Sequence, residues 1–296
     1  LNSMGAKIKS VDIARAGFTH RGSVDLEARA AEKCLKKAAV DPNQVGFLIN
    51  AGIYRDRHMV EPAMSSFIQK RIGANEEFKG GSSTFSFDLT NGGCGMLTAI
   101  MVADGFLRSG LTAYSLVVAG DAEPVPGLSK GFDIAPTAAA VLLMPGEDDQ
   151  GFIAFQTDTD TQYLDSFRVR MEWTGEQKRR NWLVFRSTPA YVDECADCAM
   201  RALQTFQEQN ALPSRDIDLL LPSQSPPGFV AGLRQRSGLG DRIMDVTGDY
   251  GNTHTAGIGM ALHHAIQDGR FDKARRIVFL TVGAGITTTL ALYRNR

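Results

Sequence analysis

One cysteine, Cys94, stands between Gly93 and Gly95 in the stretch FDLTNGGCGMLTAIMVADGFLRSG, residues 87–110. Apolar residues follow it at helical spacing, which places the thiol on the first turn of a buried helix. A free thiol with a pKa near 8.5 is only about 3% thiolate at pH 7. The unpaired N–H groups and partial positive charge of a helix N-terminus favour the anion. A fall of about one pKa unit would raise the thiolate to roughly a quarter. Gly92, Gly93 and Gly95 permit a sharp turn and let a thioester approach the backbone. The chemistry on offer is nucleophilic attack on an acyl group; the alternative is a small buried filler, a common use of cysteine.

The other reactive side chains form no comparable constellation. Cys195 and Cys198 make a CxxC, but Val192, Cys195, Ala199, Ala202 and Phe206 trace one face of a helix, which points to packing. No second pair of cysteines or histidines completes a metal site, so none is expected. His58 stands alone, and His263 and His264 fall late in an alanine-rich helix, where they suit its C-terminal dipole. Arg55 and Arg57 in YRDRH fit either a phosphate or a solvated loop.

The elements that would position Cys94 occur twice in the chain. DLEARAAEKCLKKAAV leads through DPNQ into the apolar run VGFLINAGI, and YVDECADCAMRALQTFQEQNAL leads through PSRD into IDLLLPSQS. FSFDLTNGGCGMLTAI then pairs with RIMDVTGDYGNTHTAGIGMAL; each has Asp-apolar-Thr, a glycine turn and a helix of small residues. The copies close on the strands YSLVVAGDAE and RIVFLTVGAG. Helices alternating with short apolar strands predict an α/β protein with buried sheets. The turn helices near 92–108 and 251–268 carry few charges on any face and belong between the layers. Equivalent loops of a pseudo-twofold fold face each other, so the Cys94 and Asn252 turns should share a crevice.

A chain of 296 residues can bury a sizeable core as two fused halves, and its formal charge of −1 gives nucleic acid no basic footprint. No apolar stretch approaches the roughly 18–20 residues that span a bilayer. LNSMGAKIKS has no apolar signal core, so a cytoplasmic protein is expected, with the three residues before Met4 set aside as an expression remnant. Four cysteines in this length do not make a disulfide framework.

Taken in order, the Cys94 segment, GDYGNTHTAGIGMALHHAIQDGR and TVGAGITTTLALYR resemble the thiolase superfamily in its ketoacyl-ACP synthase III branch, over most of the chain from about Gly46. YRDRHMVEPAMSSFIQKRIG is similar to the head-to-head condensing thiolases of olefin biosynthesis. The resemblance implies duplicated βαβαβαββ halves in a layered αβαβα sandwich, with an N-terminal half at 4–165 and a C-terminal half at 166–296. It implies an acyltransferase of fatty acid or polyketide biosynthesis, acting as a homodimer. Cys94 would accept an acyl group from acyl-CoA or an acyl carrier protein, with coenzyme A or phosphopantetheine as the carrier and no resident cofactor. The backbone amides of Cys94 and Ala284 would form the oxyanion hole, and Asn252 would donate to the second substrate's carbonyl. Asn252 also suits an N-cap. Glu61, followed by Pro62, would supply a carboxylate to the partner subunit's site.

The family's catalytic His follows Leu-x-Pro and precedes Gln; LLLPSQSPPGF has Ser223 there. Ser223 would donate a hydrogen bond and, with Asn252, position the acceptor, but a hydroxyl takes up no proton at neutral pH, which counts against decarboxylative condensation. Glu61 from across a dimer is the preferred replacement base. His254, or a reaction reduced to acyl loading and transfer to a carbon, hydroxyl or amine, are the others. The family's N-terminal Trp that grips the adenine of coenzyme A is absent, the first Trp being Trp173. The basic stretch FRVRMEWTGEQKRRNW could receive an acidic carrier domain or be a solvated connection between the halves. Two other readings stay open: a non-catalytic partner subunit of a heterodimer, and a thioester hydrolase.

Overall fold

The computed structural model describes residues 5–17, 22–77, 80–81, 83–146, 150–173 and 181–295. One sheet contains β1 (Lys7–Arg15), β2 (Val45–Asn50), β3 (Phe85–Asp88), β4 (Tyr114–Asp121) and, beyond the short β5 (Ser129–Lys130), β6 (Thr137–Met144), in the order β1-β6-β4-β2-β3. The second contains β7 (Gly151–Tyr163), β10 (Leu219–Pro222), β11 (Arg276–Gly283) and β12 (Gly285–Arg294), in the order β10-β11-β12-β7. A smaller sheet joins β5 to the hairpin β8 (Phe167–Trp173) and β9 (Asn181–Ser187).

The duplication is carried by strand direction as well as order. In the first sheet β6 runs antiparallel to β1 and β4, and β2 runs parallel to β4 and β3. In the second, β12 runs antiparallel to β7 and β11, and β10 runs parallel to β11. An isolated parallel bridge from Leu220 to Ile243 occupies the place of β3. Because β7 pairs with β12, the strand Gly151–Tyr163, which lies within the half expected at 4–165, belongs to the second sheet.

Side-chain alternation on the strands builds the layers. From β4, Leu116 and Val118 pack outward with α1 (Ser23–Ala38) and α2 (Met64–Ile72). Val117 and Ala119 point the other way, into a core with α3 (Gly95–Arg108). The far side of that core is supplied by Leu219, Leu221, Ile277 and Phe279 of the second sheet. The outer face of the second sheet, with Leu220, Val278, Leu280 and Leu290, is covered by α4 (Tyr191–Gln209) and α5 (Phe229–Ser237). After the short α6 (Thr247–Tyr250), α7 (Gly257–Gln267) lies beside α3 between the sheets. The result is the expected αβαβα sandwich. Both central helices are apolar over most of their circumference because both sides are covered.

Two parts of this scheme were not legible as repeats. The alternation of β1 is broken by a register shift between Ile8 and Ser10. The basic stretch, open in the sequence to a carrier-binding surface or a solvated connection, forms most of the β8–β9 hairpin; its segment 174–180 lies outside the described residues.

Candidate active site

Three turns meet at the carboxyl ends of the central strands, where open α/β sheets place their ligands. They are the 3-10 turn Gly92–Cys94, the turn His254–Ala256, and residues 282–284 at the end of β11. The first two pack against each other, as the sequence repeat implies. They floor a cavity of about 640 Å³, whose walls include Tyr54, Ile134, Phe167, Val169, Phe185 and Tyr191. Phe167, Val169 and Phe185 come from the β8–β9 hairpin, so that hairpin makes one wall of the cavity.

Close contact between the Cys94 turn and β11 depends on glycine. A Cβ on Gly93 would sit 2.3 Å from the Val282 carbonyl oxygen. One on Gly283 would come within 3.2 Å of the Gly93 nitrogen and 3.4 Å of the Cys94 nitrogen. Gly92, Gly93, Gly283 and Ala284 therefore line the cavity floor together. The Cys94 N–H, expected in the oxyanion hole beside Ala284, donates to the Asn91 carbonyl at 3.0 Å in this structure.

Cys94 departs from expectation in a second way. It is fully buried, and its sulfur donates to the Thr287 carbonyl 3.2 Å away, whereas Gly92 and Gly93 line the cavity. Burial pushes the thiol up to about 11, against hydrogen bonding with Thr281 and Thr289 that favours the thiolate. Desolvation of the fully enclosed sulfur raises the thiol, opposite in sign to the shift expected of the helix N-terminus.

Asn252 lines the cavity, where its Nδ2 donates to Asp133 Oδ1 at 3.1 Å and its Oδ1 accepts the His254 N–H at 3.3 Å. His254 also lines it, at a positive φ of 41°. Its Nδ1 lies 2.8 Å from Oδ2 of Asp121, which is fully buried at the end of β4. The same oxygen accepts from the Thr255 hydroxyl and N–H, and Oδ1 accepts from the Ile53 and Tyr54 amides. Burial works to raise the Asp121 carboxyl, but His254, Thr255 and the Tyr54 amide hold it down at about 2.

Other sequence candidates are placed elsewhere. Ser223 is buried; its N–H donates to Leu280 and its Oγ accepts from the Val282 N–H at 3.1 Å, which ties β10 to β11 outside the cavity lining. Glu61 is exposed in a separate surface depression of about 690 Å³ with Arg55, Pro62 and Asp88. Arg55 pairs with Asp88 at 2.9 Å, so it serves the loop. His264 bonds the Tyr250 hydroxyl at 2.7 Å, and burial lowers His263. Cys195 and Cys198 pack in the core under α4. In the β8–β9 hairpin, Arg168 pairs with Asp165, and Arg170 and Arg186 share Glu172. Asp121, Tyr54, Asp133 and Tyr191 were not singled out from sequence. The available signal for Asp121 was its position at the carboxyl end of a buried strand.

Residues 207–295 match the family described as 3-oxoacyl-[acyl-carrier-protein] synthase III C terminal. Among curated proteins, the chain is 29% identical over 285 residues to β-ketoacyl-[acyl-carrier-protein] synthase III of Acidiphilium cryptum, covering 93% of this chain and 85% of that one. It is 26% identical over 279 residues to the protein of the same name from Pectobacterium atrosepticum, covering 90% and 82%. Among solved structures, 3-oxoacyl-[acyl-carrier-protein] synthase III of Aquifex aeolicus superposes with a TM-score of 0.79 at 18% identity, over 98% of this chain and 100% of that one. OleA of Xanthomonas campestris gives 0.82 at 17%, over 99% of each. The duplicated sandwich, the Cys94 turn and the likeness along nine-tenths of the chain together make this protein similar to 3-oxoacyl-[acyl-carrier-protein] synthase III, with the fold that this enzyme and OleA share.

Proposed function

We propose that the protein is an acyltransferase of the ketoacyl-ACP synthase III type. Cys94 takes an acyl group from the thioester of coenzyme A or of an acyl carrier protein's phosphopantetheine and passes it to a second substrate. The observation that carries this reading is the convergence of the Cys94 turn and the Ala284 loop on one apolar-walled cavity of about 640 Å³. An acyl chain fits such walls, and backbone amides at the floor suit a developing oxyanion. This transfer requires the thiol to turn from Thr287 toward the cavity. Asn252 keeps an amide hydrogen free to orient the acceptor. The names of the curated relatives support an acyl-carrier substrate, and OleA has been solved with lauric acid and lauroyl-CoA. With Ser223 tied into the sheet, decarboxylation is not part of this proposal.

The protein acts as a homodimer. The strand β3 is an edge with one backbone side unpaired, and Phe85 on it is 58% exposed, a combination that invites a second copy. Glu61 lies beside Asp88 at the end of that edge, outside its own chain's cavity, as a residue serving a partner would.

Intact mass after incubation with a panel of acyl-CoA and acyl-carrier thioesters tests the reading, with Cys94→Ala alongside. A gain of one acyl group that is lost in the variant is expected. No adduct from any donor on folded protein would sink the proposal in favour of a non-catalytic partner subunit, the reading favoured by Ser223 and by the buried thiol.

A further inference from the structure

The acyl-transfer proposal lacks a proton acceptor. A thiol at about 11 leaves on the order of one molecule in ten thousand as thiolate at pH 7, so uptake of the acyl group at neutral pH needs a base within the site. The position at which the family resemblance places an imidazole has a serine, and that serine does not line the cavity. Glu61 is not in its own chain's cavity either.

An imidazole is nevertheless present, delivered by a different turn. His254 lines the cavity beside Asn252, and its turn packs directly on the turn of Cys94. Asp121, saturated by donors, is the ionised partner of Nδ1. A carboxylate only accepts, so Nδ1 carries the hydrogen and the lone pair of the neutral ring is on Nε2, at the opposite edge. No described residue hydrogen-bonds Nε2. The side chain is 14% exposed and Asp121 is fully enclosed, so one end of the pair is anchored in protein and the other is open to the cavity. A left-handed backbone at a non-glycine residue is uncommon and is tolerated where neighbours hold it. Here the Asn252 oxygen bonds the His254 N–H and Asp121 bonds both His254 and Thr255.

We propose that His254, oriented by Asp121, is the general base and acid of the acyl-transfer site, standing in for the imidazole missing at Ser223. The inference rests on Cys94 being the acyl acceptor. In loading, Nε2 takes the proton from the Cys94 sulfur as that sulfur bonds to the thioester carbonyl carbon. The bond from that carbon to the departing sulfur breaks, and Nε2 returns the proton to the departing thiolate. In transfer, Nε2 removes the acceptor's proton as the acceptor attacks the Cys94 thioester, then protonates the Cys94 sulfur as it leaves. Each half-reaction returns the ring to its neutral state. His254 is thus a catalytic residue and Asp121 a positioning residue.

Other titratable groups near His254 come from several elements. Asp121 on β4 has buried Glu27 of α1 as a neighbour, Tyr54 lies tilted against the ring with centroids 5.4 Å apart, Asp133 is reached through Asn252, and Cys94 belongs to the turn packed on its own.

The test is the rate of acyl loading, by intact mass, from pH 6 to 10 for wild type, His254→Ala, His254→Gln and Asp121→Asn, each checked for folding by thermal melt. His254→Ala should load about 100-fold more slowly at pH 7, with the deficit shrinking as pH rises toward the thiol's own ionisation. Added imidazole, which fits the space vacated in the cavity, should restore much of the loss in His254→Ala and none in Cys94→Ala. Asp121→Asn should slow loading at least tenfold and change the pH profile. Loading by folded His254→Ala and His254→Gln at the wild-type rate and with the wild-type profile would overturn the inference while leaving Cys94 as the acceptor. A slow His254→Ala that imidazole fails to rescue at any pH would also overturn it, by showing a structural role. A wild type that takes no acyl group from any donor would remove the acyl-transfer reading itself.

Discussion

The Cys94 sulfur and the Thr287 carbonyl oxygen, 193 residues apart in the chain, are 3.2 Å apart and hydrogen-bonded. That contact turns the thiol away from the cavity lined by Gly92 and Gly93 and leaves it fully buried. Burial and this hydrogen bond both favour the protonated thiol. Its alkylation by iodoacetamide should be slow at pH 7 and rise close to tenfold per pH unit toward about 11, the value to which burial pushes the thiol. Peptide mapping must accompany the rates, because burial also raises Cys34, Cys195 and Cys198. A plateau for the Cys94 peptide below pH 8 would show an activated thiolate instead.

Contact between the two glycine loops gives a second expectation. Gly283→Ala puts a methyl 3.2 Å from the Gly93 nitrogen and 3.4 Å from the Cys94 nitrogen, so the loops must separate by a few tenths of an ångström. Donors aimed at an oxyanion are sensitive to displacements of this size, and the loading rate should fall about 10- to 100-fold. The melting temperature should fall by only a few degrees. Single-turnover loading together with calorimetry measures both, and an unchanged rate would remove Ala284 and its neighbours from the oxyanion site.

Glu27 is buried behind the His254–Asp121 pair and is pushed well above the usual carboxylate range, first by burial and then by Asp121, Asp56 and Asp88. A carboxyl whose folded pKa exceeds its unfolded value of about 4.3 binds more protons in the folded state between the two values. Its stabilising contribution is therefore complete below about pH 4 and is lost as pH rises through the folded pKa. Glu27→Gln should melt above wild type at pH 8 and close to it at pH 4. Thermal unfolding at both pH values checks the sign, and a variant less stable at pH 8 would show that the ionised carboxylate is held by partners.

The edge strand β3 gives a prediction about assembly. Phe85→Lys places a charge on the exposed edge and should convert a dimer to monomer in sedimentation equilibrium. If Glu61 serves the partner's site, mixing inactive Cys94→Ala with impaired Glu61→Gln should regenerate activity, since one mixed-dimer site has both residues. Mixtures no more active than Glu61→Gln alone would place Glu61 outside the reaction.

Much of the architecture was legible in the chain because its signals are local or repeated. Periodicity separates strand from helix, the paired Asp-apolar-Thr-glycine segments disclose the duplication, and charge-poor helices after each turn announce the middle layer. Less legible were β1, whose alternation is broken at a bulge, and the β8–β9 hairpin, whose exposed face is charged while its inner face supplies Phe167 and Phe185 to the cavity.

The sequence by itself determined the two-fold plan, the turn that bears Cys94 and the meeting of that turn with the Asn252 loop. Tertiary structure alone decided how the side chains at that meeting are used. It bonded Cys94 to Thr287, tied Ser223 to Val282, and set Asp121 beneath His254 across 133 residues of chain. Spacing along a chain records which backbone positions recur on one face. Desolvation and hydrogen-bond partners depend on what distant segments bring to the same few ångströms, and at Cys94 burial raises the thiol that the helix end was expected to lower.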